Sequence, residues 1–102
     1  MKTNIRKTKV YISGPITGTD DYMERFNYAS RCLLELGYEV VNTALICSSL
    51  PESTTWGEYM DVALVLLHMC DAMYMLKGWE KSEGASIEHA LGKAAKKKIM
   101  YG

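Results

Sequence analysis

The sequence has little of what marks a secreted, membrane-bound or metal-built protein. Cysteine occurs three times (Cys32, Cys47, Cys70), an odd number at spacings that fit neither a disulfide framework nor a zinc pattern. No apolar run approaches the ~18 to 20 residues that span a bilayer, and the basic start is not followed by a hydrophobic stretch and cleavage site. These absences point to a reducing, cytoplasmic setting. No repeat or low-complexity segment interrupts the 102 residues, a length that suits one domain, residues 1–102, built around a single core.

Net charge is also missing: twelve Lys and Arg balance twelve Asp and Glu. The balance hides an uneven layout. Lys2, Arg6, Lys7 and Lys9 lie at the start, and Lys93, Lys96, Lys97 and Lys98 near the end, so the middle has four basic residues against all twelve acids. A polymeric nucleic acid calls for a basic working surface, and this body is acidic. No set of residues has metal-ligand spacing, and neither a Walker loop nor a G-x-G-x-x-G turn is present, so no metal or cofactor is expected.

What is present alternates between strand and helix signals. Val10, Tyr11 and Ile12 form a short strand-like run stopped by Ser13-Gly14-Pro15. Asp20 or Asp21 is placed to cap a helix in which Tyr22, Phe26, Ala29, Leu33 and Leu36 share a face, with Gly37 as its stop. Residues 38–42 read as a second strand and residues 43–53 as a mixed loop. Thr55 and Glu58 have capping-box spacing ahead of an apolar row of Trp56, Tyr59, Met60, Ala63, Leu64 and Leu67. The nearly continuous apolar run 71–76 suits a strand buried on both faces. Ser82 caps a last helix whose predicted buried row is Ile87, Ala90, Leu91, Ala94 and Ala95, with His89 turned to water; residues 99–101 close as a strand. The order β-α-β-α-β-α-β predicts an α/β fold with a small parallel sheet of about four strands, ligands binding beyond the strands' C-terminal ends.

Three segments meet that edge, residues 13–19, the loop after Asn42 and residues 77–84, and chemistry could live in or beside them. The loop 13–19, with Ser13, Gly14, Thr17 and Gly18, offers hydroxyls and unhindered N–H groups to sugar or phosphate oxygens, or is an ordinary strand-to-helix turn. Ser82 and Gly84 open a helix whose positive dipole end favours an anion. Glu88 falls two turns into that helix, in one row with Gly84, Leu91 and Ala95 on the flank of the expected buried face, with Gly84 and Ala85 leaving space beside it. It is either a site acid or a half-exposed glutamate in an ion pair. Asp71 is a weaker candidate, His68 reads as packing, and Trp56, Trp79 and the methionines read chiefly as core and pocket lining.

Together, YISGPITG at residues 11–18, CDAMYMLKGW at 70–79 and Ser82-x-Gly84-x-x-x-Glu88 resemble the nucleoside 2-deoxyribosyltransferase superfamily, and most of all its small DUF4406 branch, over residues 10–101. The resemblance implies a three-layer flavodoxin-like or Rossmann-like fold. It also implies action on the N-glycosidic bond of a nucleoside or nucleotide, with Glu88 attacking the anomeric carbon. Tyr11 would lie under the sugar, Ser82 and Gly84 would contact a 5′-phosphate, and Ser13, Gly14, Thr17, Gly18 and Trp79 would complete a substrate-binding set. A homo-oligomer, dimer or larger, is implied as well. The pattern departs from the enzymes at Ala63, where they carry an aspartate, and at Thr17, where the hydrolases carry an arginine, which leaves a non-catalytic nucleotide-binding or sequestering module as the alternative.

Overall fold

The computed structural model describes residues 7–102; Lys2 and Arg6 of the basic leader lie outside them. Four parallel strands, β1 (Lys9–Ser13), β2 (Glu39–Asn42), β3 (Ala72–Met75) and β4 (Lys98–Tyr101), form one sheet in the order β2-β1-β3-β4. The helices are α1 (Tyr22–Glu35), α2 (Thr43–Cys47), α3 (Trp56–His68) and α4 (Glu83–Ala94), with a single 3₁₀ turn at Trp79–Lys81. This is the expected small α/β three-layer, Rossmann-like arrangement. Among the described residues no helix is long and apolar enough to cross a membrane.

The layering follows from the alternation of β1. Val10 and Ile12 point to one face and pack with Phe26, Ala29 and Leu33 of α1; Tyr11 points to the other and packs with Ala63 and Leu67 of α3, Met73, Met75 and Ala85 of α4. The chain leaves β1 toward β2 through α1 and returns through α3 to β3 on the opposite side of β1. The strand order therefore reverses beside β1, and the ends of β1 and β3 frame the crevice where such sheets bind ligands.

Local chemistry sets the helix starts. Thr55 Oγ1 accepts from the Glu58 amide at 3.1 Å while Glu58 Oε1 accepts from the Thr55 amide at 2.8 Å, completing the capping box. The Thr55 amide, and next the Thr55 hydroxyl, also hold the exposed Glu58 carboxyl below its ordinary pKa, so this contribution to stability is present above the unfolded carboxyl's pKa and fades as pH falls through the lower folded value. Thr55→Ala is expected to lower unfolding free energy by about 1 kcal/mol, measured by chemical denaturation at neutral pH. Ser82 Oγ accepts from the Ala85 amide at 3.2 Å and caps α4 as the sequence predicts. Asp21, in contrast, precedes α1 without a side-chain cap bond and lies beside Arg25 instead, Oδ1 to Nε 3.3 Å.

Five expectations need correction. Residues 43–53 are not all loop: Asn42 Oδ1 accepts from the Leu45 amide at 3.2 Å and starts the short helix α2. His68 is exposed, not packed, and Leu36 lies past the end of α1 and is 74% exposed. The largest change concerns α4, which is rotated from the expected setting. Its buried residues are Ala85, Glu88 and Gly92, while Ile87 and Leu91 are 37% and 46% exposed and Ala90, Ala94 and Ala95 are also exposed. The cause is steric. A Cβ at position 92 would overlap Met73 Sδ, so the row of small residues is the one that lets α4 lie close on the sheet. His89, expected in water, is half-buried, stacked on Trp79 with ring centroids 4.0 Å apart.

Candidate functional site

Turning the small-residue row of α4 inward brings its one polar member, Glu88, against the end of β1. Glu88 is 7% exposed. Strand periodicity places Tyr11 and Ser13 on the same face, two residues apart, and both reach it. The Tyr11 hydroxyl donates to Oε2 at 2.8 Å and the Ser13 hydroxyl to Oε1 at 2.6 Å. Each carboxylate oxygen thus has one donor and keeps a further lone pair. Among the described residues no cation pairs with Glu88, so the ion-pair reading of this residue does not hold.

Burial raises the Glu88 pKa above its ordinary value, and the bonds from Ser13 and Tyr11 oppose that rise by stabilising the anion. Burial, and next the Glu88 charge, push the Tyr11 hydroxyl well above its own ordinary value, so the phenol stays protonated and remains a donor. Cys47 responds the same way: burial first, then Glu88, raise its thiol pKa, and it remains a neutral thiol in the wall of the same cavity.

Glu88 lies in the lining of a cavity of about 730 Å³ at the C-terminal edge of the sheet. The size is within the ~300 to 1,000 Å³ of small-molecule sites. Of the residues singled out from sequence, Tyr11, Gly14, Thr17, Ser82, Gly84 and Glu88 line it. Ser13 reaches the cavity only through Glu88, its own side chain being buried at 1% exposure. Gly18 and Trp79 are not in the lining. Gly18 has a φ of +79° in the turn beyond, and Trp79 packs against the core under α4 and stacks on His89, whose Nε2 is 2.8 Å from the Tyr101 hydroxyl. Asp71 accepts from the Lys9 amide at 3.0 Å, a structural tie at the opposite end of the sheet.

Two glycines shape the entrance. A Cβ at Gly14 would come within 2.7 Å of the Leu76 Cβ, so glycine lets the β1 loop pass close over the end of β3. A Cβ at Gly84 would stand 3.1 Å from Met60 Sδ, so glycine here sets how closely the start of α4 approaches α3.

The sequence outlines the far wall without fixing its residues: it brings the segment after Asn42 to this edge and reads Trp56 as core and pocket lining, but it does not single out Tyr59 or the residues of α2. Thr43, Ala44 and Cys47 come from α2, and Trp56, Tyr59 and Ala63 from successive turns of α3. The second group shares a helical face, i, i+3 and i+7, and that spacing was readable; nothing in the sequence distinguished lining a cavity from filling a core. Lys81, one residue before the α4 cap, falls within residues 77–84 that the sequence brings to this edge, and it lines the cavity although nothing in its spacing singles it out. Ala63 does line the cavity, so the position where the resemblance leads one to expect an aspartate is apolar there, and Asp61 is exposed outside it.

No curated protein matches the chain. A family model described as a domain of unknown function, DUF4406, matches residues 8–101, a span that takes in every described strand and helix and leaves out only Lys7 and Gly102 of the described residues. The chain belongs to the DUF4406 family.

Proposed function

We propose that this protein acts on the N-glycosidic bond of a nucleoside 5′-monophosphate, with Glu88 as the nucleophile, as its resemblance to the nucleoside 2-deoxyribosyltransferase superfamily implies. One observation carries the reading: a nearly buried carboxylate, held by two hydroxyl donors rather than by a cation, lines a cavity of nucleotide size. A carboxylate neutralised by an ion pair is a poor nucleophile, whereas this one is oriented by Tyr11 and Ser13 and keeps lone pairs for an electrophile.

The step balances simply. A Glu88 oxygen forms a bond to C1′ as the C1′–N bond breaks; the base leaves with the bonding pair and takes a proton from water. A water oxygen, or a nitrogen of a second base, then attacks C1′, the ester bond breaks and the carboxylate returns. Tyr11 and Ser13 hold the carboxylate throughout and act as positioning residues. No group is assigned as general acid, since Ala63 supplies none.

Chromatography of free base after incubation with deoxy- and ribonucleoside monophosphates tests the proposal. Release above that of Glu88→Ala is expected for at least one substrate; no release above that control for any of them removes the catalytic claim.

Ala63 and Thr17 in the cavity wall favour a second reading, a module that holds a nucleotide without turning it over. Calorimetric titration separates the two, because a binder saturates and returns its ligand intact. Self-association belongs to the same proposal: α3, its C-cap Met69 and α4 leave Val65, Met69, Ile87 and Leu91 exposed. Light scattering at micromolar concentration is expected to show a dimer or larger, and a monomer contradicts it.

A further inference from the structure

We infer that Lys81 decides the preference of this cavity for a phosphorylated over an unphosphorylated nucleoside, an inference that rests on the nucleotide reading above. The charged residues lining the cavity are Lys81, Glu83 and Glu88. Two carboxylates against one ammonium make a wall that repels an anion wherever Lys81 does not intervene, and a phosphate monoester carries about −1.5 to −2 charge at neutral pH. Neutral residues fill the remaining polar positions, Thr17 and Ser82 among them.

No other described lysine or arginine lines this cavity. Arg25 is outside the lining, its Nη2 donating to the Pro15 carbonyl at 3.4 Å and its Nε 3.3 Å from Asp21. Arg25 and Lys77 line a different cavity, next to α1 and the end of β3. Lys97 donates to the Cys70 carbonyl. Lys81 makes no ion pair or side-chain hydrogen bond among the described residues, although Glu80 and Glu83 are near in sequence. Its backbone is fixed by the 3₁₀ turn, Lys81 N donating to Gly78 O at 3.1 Å, and Gly78 permits that turn with a φ of +89°. The ammonium is thus carried on an ordered turn at the cavity rim with its donors unspent. A phosphate drawn to it leaves the sugar to reach inward toward Glu88.

The test is calorimetric titration of the wild type, Lys81→Gln and Glu83→Gln with each of the four common 2′-deoxynucleoside 5′-monophosphates and its nucleoside, the recovered ligand being checked for free base. Lys81→Gln is expected to weaken monophosphate binding roughly tenfold to a hundredfold and to leave nucleoside binding within about twofold. Glu83→Gln is expected to tighten the monophosphate alone. Added salt should weaken the monophosphate more in the wild type than in Lys81→Gln. Equal effects on nucleoside and monophosphate, or none, overturn the assignment, as does a wild type that binds both alike. No binding of any of the eight ligands overturns both this inference and the nucleotide reading, whereas the expected pattern without base release removes only catalysis.

Discussion

Glu88→Gln is expected to abolish base release, by more than about 10³-fold in kcat, while leaving the fold intact. The amide matches the carboxylate in shape, and its oxygen and NH₂ can still engage the Tyr11 and Ser13 hydroxyls if one hydroxyl turns to accept. It cannot form the ester to C1′. The same substitution has an opposite signature in stability. Burial raises the folded-state pKa of Glu88, so the folded protein binds this proton more tightly than the unfolded chain does. That contribution is fully present below the ordinary carboxyl pKa and is lost as pH rises through the raised folded value. At pH 7 to 8 the wild type bears the cost of a buried anion that Glu88→Gln does not. Denaturation midpoints across pH 4 to 8 should show the variant gaining on the wild type as pH rises. A variant that loses activity and stability together at pH 8 would mean that the carboxylate is a structural tie.

The second large effect concerns the donors that hold the carboxylate. Tyr11→Phe removes the 2.8 Å bond to Oε2 and changes little else in the packing of a fully buried ring. A hydrogen bond to a charged group contributes about 1.5 to 3 kcal/mol. Losing it favours the protonated acid, so at pH 7 the rate should fall roughly tenfold to a hundredfold. The acid limb of the pH–rate profile should move to higher pH, and raising the pH should recover part of the activity. Ser13→Ala is expected to act in the same direction through Oε1. A fall in rate with an unmoved acid limb would show that these hydroxyls do not act through Glu88.

How far the sequence carries the fold and the site depends on what each residue type can do alone. β1 was readable because β-branched and aromatic residues run into Ser13-Gly14-Pro15, and α3 because Thr55 and Glu58 cap each other with no outside help. Placement of Glu88 was only half readable. Its distance from the cap at Ser82 sets its depth along α4, but the direction it faces depends on Met73 meeting Gly92 and on two hydroxyls of β1, partners 75 and 77 residues away. Periodicity scored Ile87 and Leu91 as the inward row because it counts apolarity; the sheet selected the row that is small. α2 escaped notice because its start is an Asn42 cap inside a strand-like segment and its length is five residues, too short for a periodic signal. The motif places Trp79 in the substrate set, yet its ring stacks on His89, the residue after Glu88 and about 100° round α4 from it, and does not line the cavity.

The most direct measurement is intact-mass and peptide-mass spectrometry of the protein quenched during incubation with 2′-deoxynucleoside 5′-monophosphates, alongside the chromatogram of released base. An added 2-deoxyribose 5-phosphate group mapped to the peptide containing Glu88, absent in Glu88→Gln and accompanied by free base, is the result predicted. An unmodified protein with every nucleotide recovered whole would contradict it.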